Sequence, residues 1–510
     1  MSKRWILVFA LAFLVGITAF AYAETQNVKV SGDLLIRGIS RSNFSLVDEE
    51  TYWLDGTWFS LPKHKQSGIT STARVRVDAD LTDDVSVTMR LLNERTWGRE
   101  HFTQDYYGYE LGYWDDSELH SGNTGVDIDL AYITLKEFLY SPLTLIVGRQ
   151  ELRYGNALVI GDPDTNMFAE TVGVPMDLSS RKSFDAVRGI LDYDPLTIDL
   201  VYAKIDENEM VWWHPYFNGY WAGGQPIVER KDLDLYGINA HYELADRNAF
   251  VEGYFFTKQD RISVYDPYGA GYPWPGGKDI IQTVGVLVGG ELIENLTGSL
   301  EYARQFGRKS YILNNHFLPP LAQRGKVSAW ALQANLDYVF GDMETTPSIG
   351  LAYSYLSGDD NPWSGKVRTW DPMFEDQMMN SIPNALFYNT NCTAWNLRGA
   401  MKPREDMTLS AVLGYYRLNE GLHWYNDGGI PSVYGEGYYP SFAYPSSGKK
   451  DLGWALDLGL IYDYTEDVQF GLHLGYFDPG SAFEYPDSSY NLGDYPEEAS
   501  EVIGSMKVTF

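Results

Sequence analysis

The sequence predicts an all-β fold: a transmembrane antiparallel β-barrel of eighteen strands, with short turns at one end and long loops at the other. Three observations carry that expectation. The chain opens on an export signal, and no later apolar run is long enough for a membrane helix. Its alternating segments are also joined by connections that are short and long in strict turn.

The N-terminal segment comes first. Lys3 and Arg4 precede an apolar run from Trp5 to Phe20, and in "AYA" at Ala21–Ala23 the two alanines supply the small residues a signal peptidase needs at minus three and minus one. The reading is a signal peptide at 1–23, cut between Ala23 and Glu24, with 24–510 forming the barrel domain. A retained single anchor is the alternative, and the shortness of the run argues against it.

Alternating segments are expected near 28–40, 69–81, 85–96, 125–137, 143–154, 183–193, 196–206, 231–243 and 248–259. They continue near 279–290, 296–307, 326–340, 345–357, 391–402, 406–419, 450–463, 467–477 and 499–510. Short connections such as "TDD" (82–84), "DP" (194–195), "ADRN" (245–248), "PRED" (403–406) and "TED" (465–467) carry the residues tight turns require. The long ones run to about 19 to 33 residues. A soluble domain has no use for such regularity. A barrel does, with turns facing the periplasm, loops facing outside and both termini on the periplasmic side. An even strand number closes the sheet, so every backbone group in lipid is paired.

The strand faces have opposite polarity. In 69–80, Ala73, Val75, Val77 and Ala79 oppose Thr72, Arg74, Arg76 and Asp78; in 467–477, Val468, Phe470, Leu472, Leu474 and Tyr476 oppose Gln469 and His473. In 143–154 the same reading sets Arg149, Glu151 and Arg153 toward the lumen, opposite Ile146, Gly148, Leu152 and Tyr154. At the lipid midplane each Arg would cost roughly 2–4 kcal/mol. Gln150 and Arg304 fall on the wrong parity, which calls for bulges or interface positions. The last strand places Val502, Gly504, Met506, Val508 and Phe510 toward lipid. Ending on Phe510, it resembles the terminal strand by which bacterial outer-membrane barrels are recognised, which makes Phe510 the assembly signal and the barrel-assembly machinery a partner.

Composition narrows the function. Aromatics make up 15%, with 38 Tyr and 15 Trp, which suits rings at both membrane interfaces. Net charge is −30, from 69 acids against 39 bases, and an acidic chain of this kind is no partner for nucleic acid. Many acids fall in loops, as in "VDEE" (47–50), "WDDSEL" (114–119) and "YPEEASE" (495–501). The lone Cys392 excludes an internal disulfide. The eight His residues show no metal spacing, and no phosphate-binding glycine loop or nucleophile elbow is present, so no metal, cofactor or catalytic residue is expected. His101, His120, His214 and His316 sit in or beside loops without an evident nucleophile. Aromatic runs at 209–224, 265–277 and 434–445 could stack on sugar rings or pack the loops together.

One stretch carries a family resemblance. Gly148-Arg149-Gln150 with Tyr154-Gly155, a loop of some 28 residues, then Phe184-Asp185-Ala186-Val187-Arg188 resembles the alginate-export family of outer-membrane proteins. The resemblance implies a monomeric eighteen-stranded barrel that passes an acidic polysaccharide through an arginine-constricted lumen, with loops occluding the pore. It carries over onto Arg149, Asp185 and Arg188. Strand-face reasoning adds Arg74, Arg76, Arg90, Arg153 and Arg398, with Glu151 beside them as a lumenal acid. Guanidinium forks match carboxylates two-toothed and keep their charge. The same Arg–acid ladders would also serve simply to brace a barrel wall. The expected function is therefore a porin-like conduit for an anionic or neutral polysaccharide or oligosaccharide, and not an enzyme. The alternatives are a general or cation-preferring porin and a plugged surface or adhesion barrel. Expected partners are outer-membrane lipid and lipopolysaccharide, the substrate, and periplasmic export proteins.

Overall fold

A computed structural model describes residues 27–44, 46, 50–54, 57–61, 65–98, 126–163, 174–207, 232–262, 277–315, 318–361, 364–377, 380–387, 389–421, 448–484 and 496–510. The signal segment with Ala23 and Glu24, the four loop histidines and nearly all of the aromatic runs lie outside these residues.

Eighteen antiparallel strands form the wall. They are β1 (Asn27–Ser42), β2 (Lys65–Asp80), β3 (Val85–Thr96), β4 (Asp127–Leu135), β5 (Leu143–Glu151), β6 (Ser183–Asp192), β7 (Leu196–Glu207), β8 (Asp232–Leu244) and β9 (Ala249–Ile262). Then follow β10 (Gly277–Ile293), β11 (Leu296–Asn315), β12 (Leu318–Val339), β13 (Ser348–Leu356), β14 (Cys392–Arg404), β15 (Met407–Leu418), β16 (Asp451–Asp463), β17 (Val468–Pro479) and β18 (Ala499–Thr509). Each pairs with its sequence neighbours, and β1 also pairs with β18 from Asp33↔Thr509 to Ser42↔Ser500, so the sheet closes. All eighteen expected segments are strands. The largest difference is at 308–325, expected as a loop: β11 runs on to Asn315 and β12 starts at Leu318, so this hairpin continues past the expected ends. Outside the wall, Glu50–Leu54 pairs with Thr57–Leu61, and Lys366–Val367 runs parallel to β12.

The outward face is apolar. Val75, Val147, Leu200, Ile238, Val286, Leu351 and Leu474 are each well exposed, as lipid contact requires. Rings border this belt. Toward the long loops, Tyr353, Trp395, Tyr415 and Trp454 lie on successive strands with centroids 5.7, 5.6 and 4.6 Å apart. Toward the short turns, Tyr462, Tyr464 and Phe470 make a similar group. Amphipathic rings belong at headgroup level, so the two rows mark the membrane faces.

The hydrophobic core lies inside the barrel. Two long connections fold inward, one after β5 (residues 152–163 and 174–182) and one after β13 (residues 357–361, 364–377, 380–387 and 389–391). The second includes a short helix, α1 (Ser381–Leu386). Leu158, Val159, Ile160, Trp370, Met373, Phe374, Ile382 and Leu386 from these segments are buried against Phe184, Phe256, Tyr416 and Phe477 of the wall. Ala203, Ala303, Ala329 and Ala331 face them from the strands and are fully buried. Short side chains there leave room for the inward segments. The two segments meet backbone to backbone: Gly161 N–H donates to the Phe374 carbonyl at 2.7 Å and Phe374 N–H to the Val159 carbonyl at 3.0 Å. Buried backbone groups are thus paired although the segments belong to neither wall.

Candidate functional site

Alternation along each strand settles which side chains enter the barrel. Arg74 and Arg76 lie opposite the exposed Val75, Arg90 opposite Met89, Arg188 opposite Val187, and Arg398 opposite Leu397. These five arginines are therefore on the inner face. Each meets a carboxylate. Arg74 makes two bonds to Asp33, at 2.8 and 3.1 Å, across the β1–β2 pair. Arg76 binds Asp78 two residues along its own strand, at 2.8 and 2.9 Å, and Thr88 donates to the same Asp at 2.7 Å. Arg398 binds Asp337 at 3.0 and 2.9 Å. Arg188 binds Asp199 at 2.8 Å and lies 5.8 Å from the Tyr154 ring centroid. A register shift leaves Asp129 unmatched on β4, and Arg90 reaches it at 2.6 Å. Arg90 also binds Glu151, the last residue of β5, at 2.6 Å.

Accessibility separates these arginines. The side chains of Arg76 and Arg398 are 39% and 38% exposed, whereas Arg90 is 11% exposed. The first two still present a guanidinium edge to the interior; Arg90 is chiefly a brace.

Three expected lumenal residues fall on the outward parity; one of them, Glu151, stands at the very end of β5, where Arg90 reaches it. Arg149 lies on the same side of β5 as the outward Val147, and Asp185 on the same side of β6 as the outward Val187; the two bond to each other at 2.9 and 2.8 Å. The inward positions are Ile146, Gly148, Gln150 and Leu152, with Phe184 and Ala186 opposite. The correction has a physical reason. The lumen beside this wall is filled by packed loop, so the apolar parity points in and the charged parity points out, past the lipid belt. Gly148 fits the same geometry: its φ is +128°, and a Cβ there would lie 2.1 Å from the Ala131 carbonyl oxygen. Arg304, which falls on the lipid parity of its strand in the sequence, is outward between Tyr302 and Phe306 and donates to Ser328 at 2.7 Å.

Arg153 follows the end of β5 and belongs to the inward segment. It binds Asp376, of the other inward segment, at 2.8 Å, and Lys182 binds the same carboxylate at 2.5 Å. Arg153 and Lys182 are 58% and 38% exposed, and Asp376 is 17%. One carboxylate thus holds two accessible cations across the junction of the inward segments. Further contacts fix the segments to the wall. Asp371 is held by Lys309 at 2.7 Å and Lys258 at 3.2 Å; burial alone would raise its carboxyl, but the two ammonium groups hold it well below the ordinary carboxylate range. Glu94 accepts from Ser180 N–H at 2.7 Å and Ser179 Oγ at 2.9 Å. Arg41 joins Asp177 to Glu501, the latter at 2.5 Å. Asp376, Lys182, Asp371 and Glu94 were not singled out from the sequence. The available signal was the apolar content of "WDPMFEDQMMNSIPNAL" (370–386), which is unusual for a solvated loop.

The profile of the alginate export family matches residues 59–491, most of the chain. The chain belongs to the alginate export family. No curated protein matches the sequence. Among solved structures, OpdQ of Pseudomonas aeruginosa is similar at a TM-score of 0.50 and 11% identity, covering 96% of this chain and 99% of its own. OccK7 (OpdD) of the same organism gives 0.48 and 11%, over 95% and 99%. OmpT, an outer membrane protein of Vibrio cholerae, gives 0.35 and 11%, over 96% and 100%. At such identity the likeness concerns the fold alone.

Family and fold are those of outer-membrane transport barrels with porin-type architecture. One constellation in this alginate export family member superficially resembles a hydrolase site: Ser381 Oγ lies 2.9 Å from His473 Nε2 and 3.2 Å from Asp457. Its geometry differs from a catalytic triad. Glu501 approaches the same Nε2 at 3.6 Å and Asp457 bonds the serine itself, and neither contact is made to Nδ1, through which a triad acid orients the ring. Ser381 N–H also donates to Asp457 at 2.8 Å. The group anchors the first turn of α1 to the wall.

Proposed function

We propose that this barrel is a gated conduit for an anionic polysaccharide or oligosaccharide, whose path runs along the inner-face arginines and past the junction at Asp376. The observation that carries the reading is the shared carboxylate. Arg153 and Lys182, both accessible, are held by one acid from the opposite segment, and a uronate carboxylate offers the same acceptor atoms. A polyanion entering the lumen would compete for both cations and loosen the contact between the segments. Arg76 and Arg398 supply accessible guanidinium groups on the wall, while Asp78 and Asp337 keep any one sugar acid from binding too tightly to move on.

Single-channel recording of the refolded protein in a salt gradient tests this. An anion-favouring reversal potential, and block by an oligouronate at concentrations where a neutral malto-oligosaccharide has no effect, are the expected results. Cation preference with no oligouronate block would replace the reading by a general porin. The packed interior favours one other reading, a plugged surface barrel. That reading predicts no conductance in the wild type and none after Asp376→Asn.

A further inference from the structure

Six cations stand on the outward face of β7 to β12, at and past the end of the apolar belt toward the long loops. They are Lys204, Arg261, Lys278, Arg304, Arg308 and Lys326. Their side follows from the alternation. Lys204 shares a face with Leu200 and Tyr202, Lys278 with Val284, Val286 and Val288, and Arg304 and Arg308 with Tyr302 and Phe306, all exposed. Arg261 lies opposite Lys278, and Lys326 lies opposite Arg308.

The pairing sets like charges against each other. Besides those two pairs, Lys326 neighbours Lys366 of the parallel segment. Like charges directly opposed on one face of a sheet are unfavourable unless an anion lies between them. Part of the row has internal partners: Lys204 binds Asp234 at 3.1 Å, Arg261 binds Asp232 at 2.7 Å, Arg304 binds Ser328, and Lys278 too has a partner within the chain. Arg308 and Lys326 make no ion pair among the described residues, and both are exposed. A chain of net charge −30 would not gather such a row by composition alone.

The level of the row identifies what it meets. On β10 the outward sequence reads Lys278, Ile280, Gln282, Val284, Val286 and Val288, so the lysine lies just beyond the hydrocarbon contact. Side chains there touch the headgroup layer of the outer leaflet. We propose that this patch, centred on Lys278, Arg308 and Lys326, binds the phosphate groups of lipopolysaccharide lipid A. Guanidinium matches phosphate two-toothed and ammonium adds a point charge. Neighbouring lipid A phosphates are ordinarily bridged by divalent cations; here the side chains take that place. The inference does not depend on what passes through the lumen.

The test uses the full mature barrel in detergent, with bis-phosphorylated lipid A as the probe and EDTA present throughout. Wild type should retain lipid A under chelation. The folded Lys278→Ala/Arg308→Ala/Lys326→Ala variant, checked by heat-modifiable migration, should bind at least tenfold more weakly. The charge-preserving Arg308→Lys/Lys326→Arg variant should bind within about threefold of wild type. Equal binding of dephosphorylated lipid A, or unchanged affinity in the folded triple variant, would overturn the proposal. So would failure of the wild type to retain lipid A under EDTA, or displacement of the lipid by an equal concentration of inorganic phosphate.

Discussion

Gly32 and Phe510 close the barrel. The Gly32 N–H donates to the Phe510 carbonyl at 2.8 Å, and the Phe510 N–H donates to the Gly32 carbonyl at 3.0 Å. A Cβ on Gly32 would come within 2.6 Å of the Phe510 ring and 2.5 Å of the Arg74 carbonyl oxygen. Glycine therefore makes room for both the terminal ring and the neighbouring strand. Gly32→Val should destabilise the folded barrel by about 1–3 kcal/mol, the usual range for overpacking. The urea midpoint of the heat-modifiable form checks this. Removing the ring with Phe510→Ala should restore only part of the loss, because the Arg74 carbonyl remains.

The junction at Asp376 governs conductance on the reading above. Asp376→Asn removes the charge that holds Arg153 and Lys182, and the open probability of single channels should rise several-fold. The charge exchange Arg153→Asp/Asp376→Arg should bring it back toward wild type. An unchanged open probability in Asp376→Asn would mean that the contact is only a brace.

The arginines should separate by face. Arg76→Ala with Arg398→Ala should shift the reversal potential toward cations. Arg149→Ala should leave it where it was, since Arg149 binds Asp185 on the outer side of the wall. Equal shifts from both would contradict the face assignment.

Asp371 is the anchor expected to cost most when broken. Asp371→Asn leaves Lys258 and Lys309 without their shared carboxylate, and removing one partner of a buried pair typically costs about 3–5 kcal/mol. Hydrogen exchange should place the loss in the segment 364–377 before the wall strands.

Glu375 makes the inward segment sensitive to alkali. Burial pushes its carboxyl up to about 8, although Asn389 and the Gln377 N–H donate to it at 2.8 and 2.6 Å. The folded state therefore keeps a proton that the unfolded chain has already lost. That contribution is fully present below the ordinary carboxylate range, declines as pH rises, and is gone above about 8. Exchange protection around Phe374 should fall between pH 5 and about 8, and Glu375→Gln should abolish the dependence.

The wall was legible in the sequence because lipid imposes a strict rule on it. Alternation and the Asp, Asn, Gly and Pro turns placed all eighteen strands in order. Faces were legible wherever the interior is wet, as at Arg74, Arg76 and Asp78. They inverted at Arg149 and Asp185 because the interior there is filled by protein, and period-2 polarity does not reveal which side is water. The inward segments were not found for the same reason: Ile160, Trp370 and Phe374 lie in connections with no period, and only their partners on distant strands explain them. The family motif pointed to the right neighbourhood, where Arg188 lies beside the Tyr154 ring of the inward segment. It could not report that Arg149 looks away from it.

The two inward segments leave the wall eight strands apart in a ring of eighteen, so their meeting joins nearly opposite sides. Arg153 and Asp376 are separated by 223 positions along the chain. An arc that has acquired β6 but not yet β14 carries Leu158 and Ile160 with nothing to cover them. Completion of the cylinder and burial of this interior must therefore come late and together, which makes the filled lumen a test of correct assembly as well as an obstacle to flow.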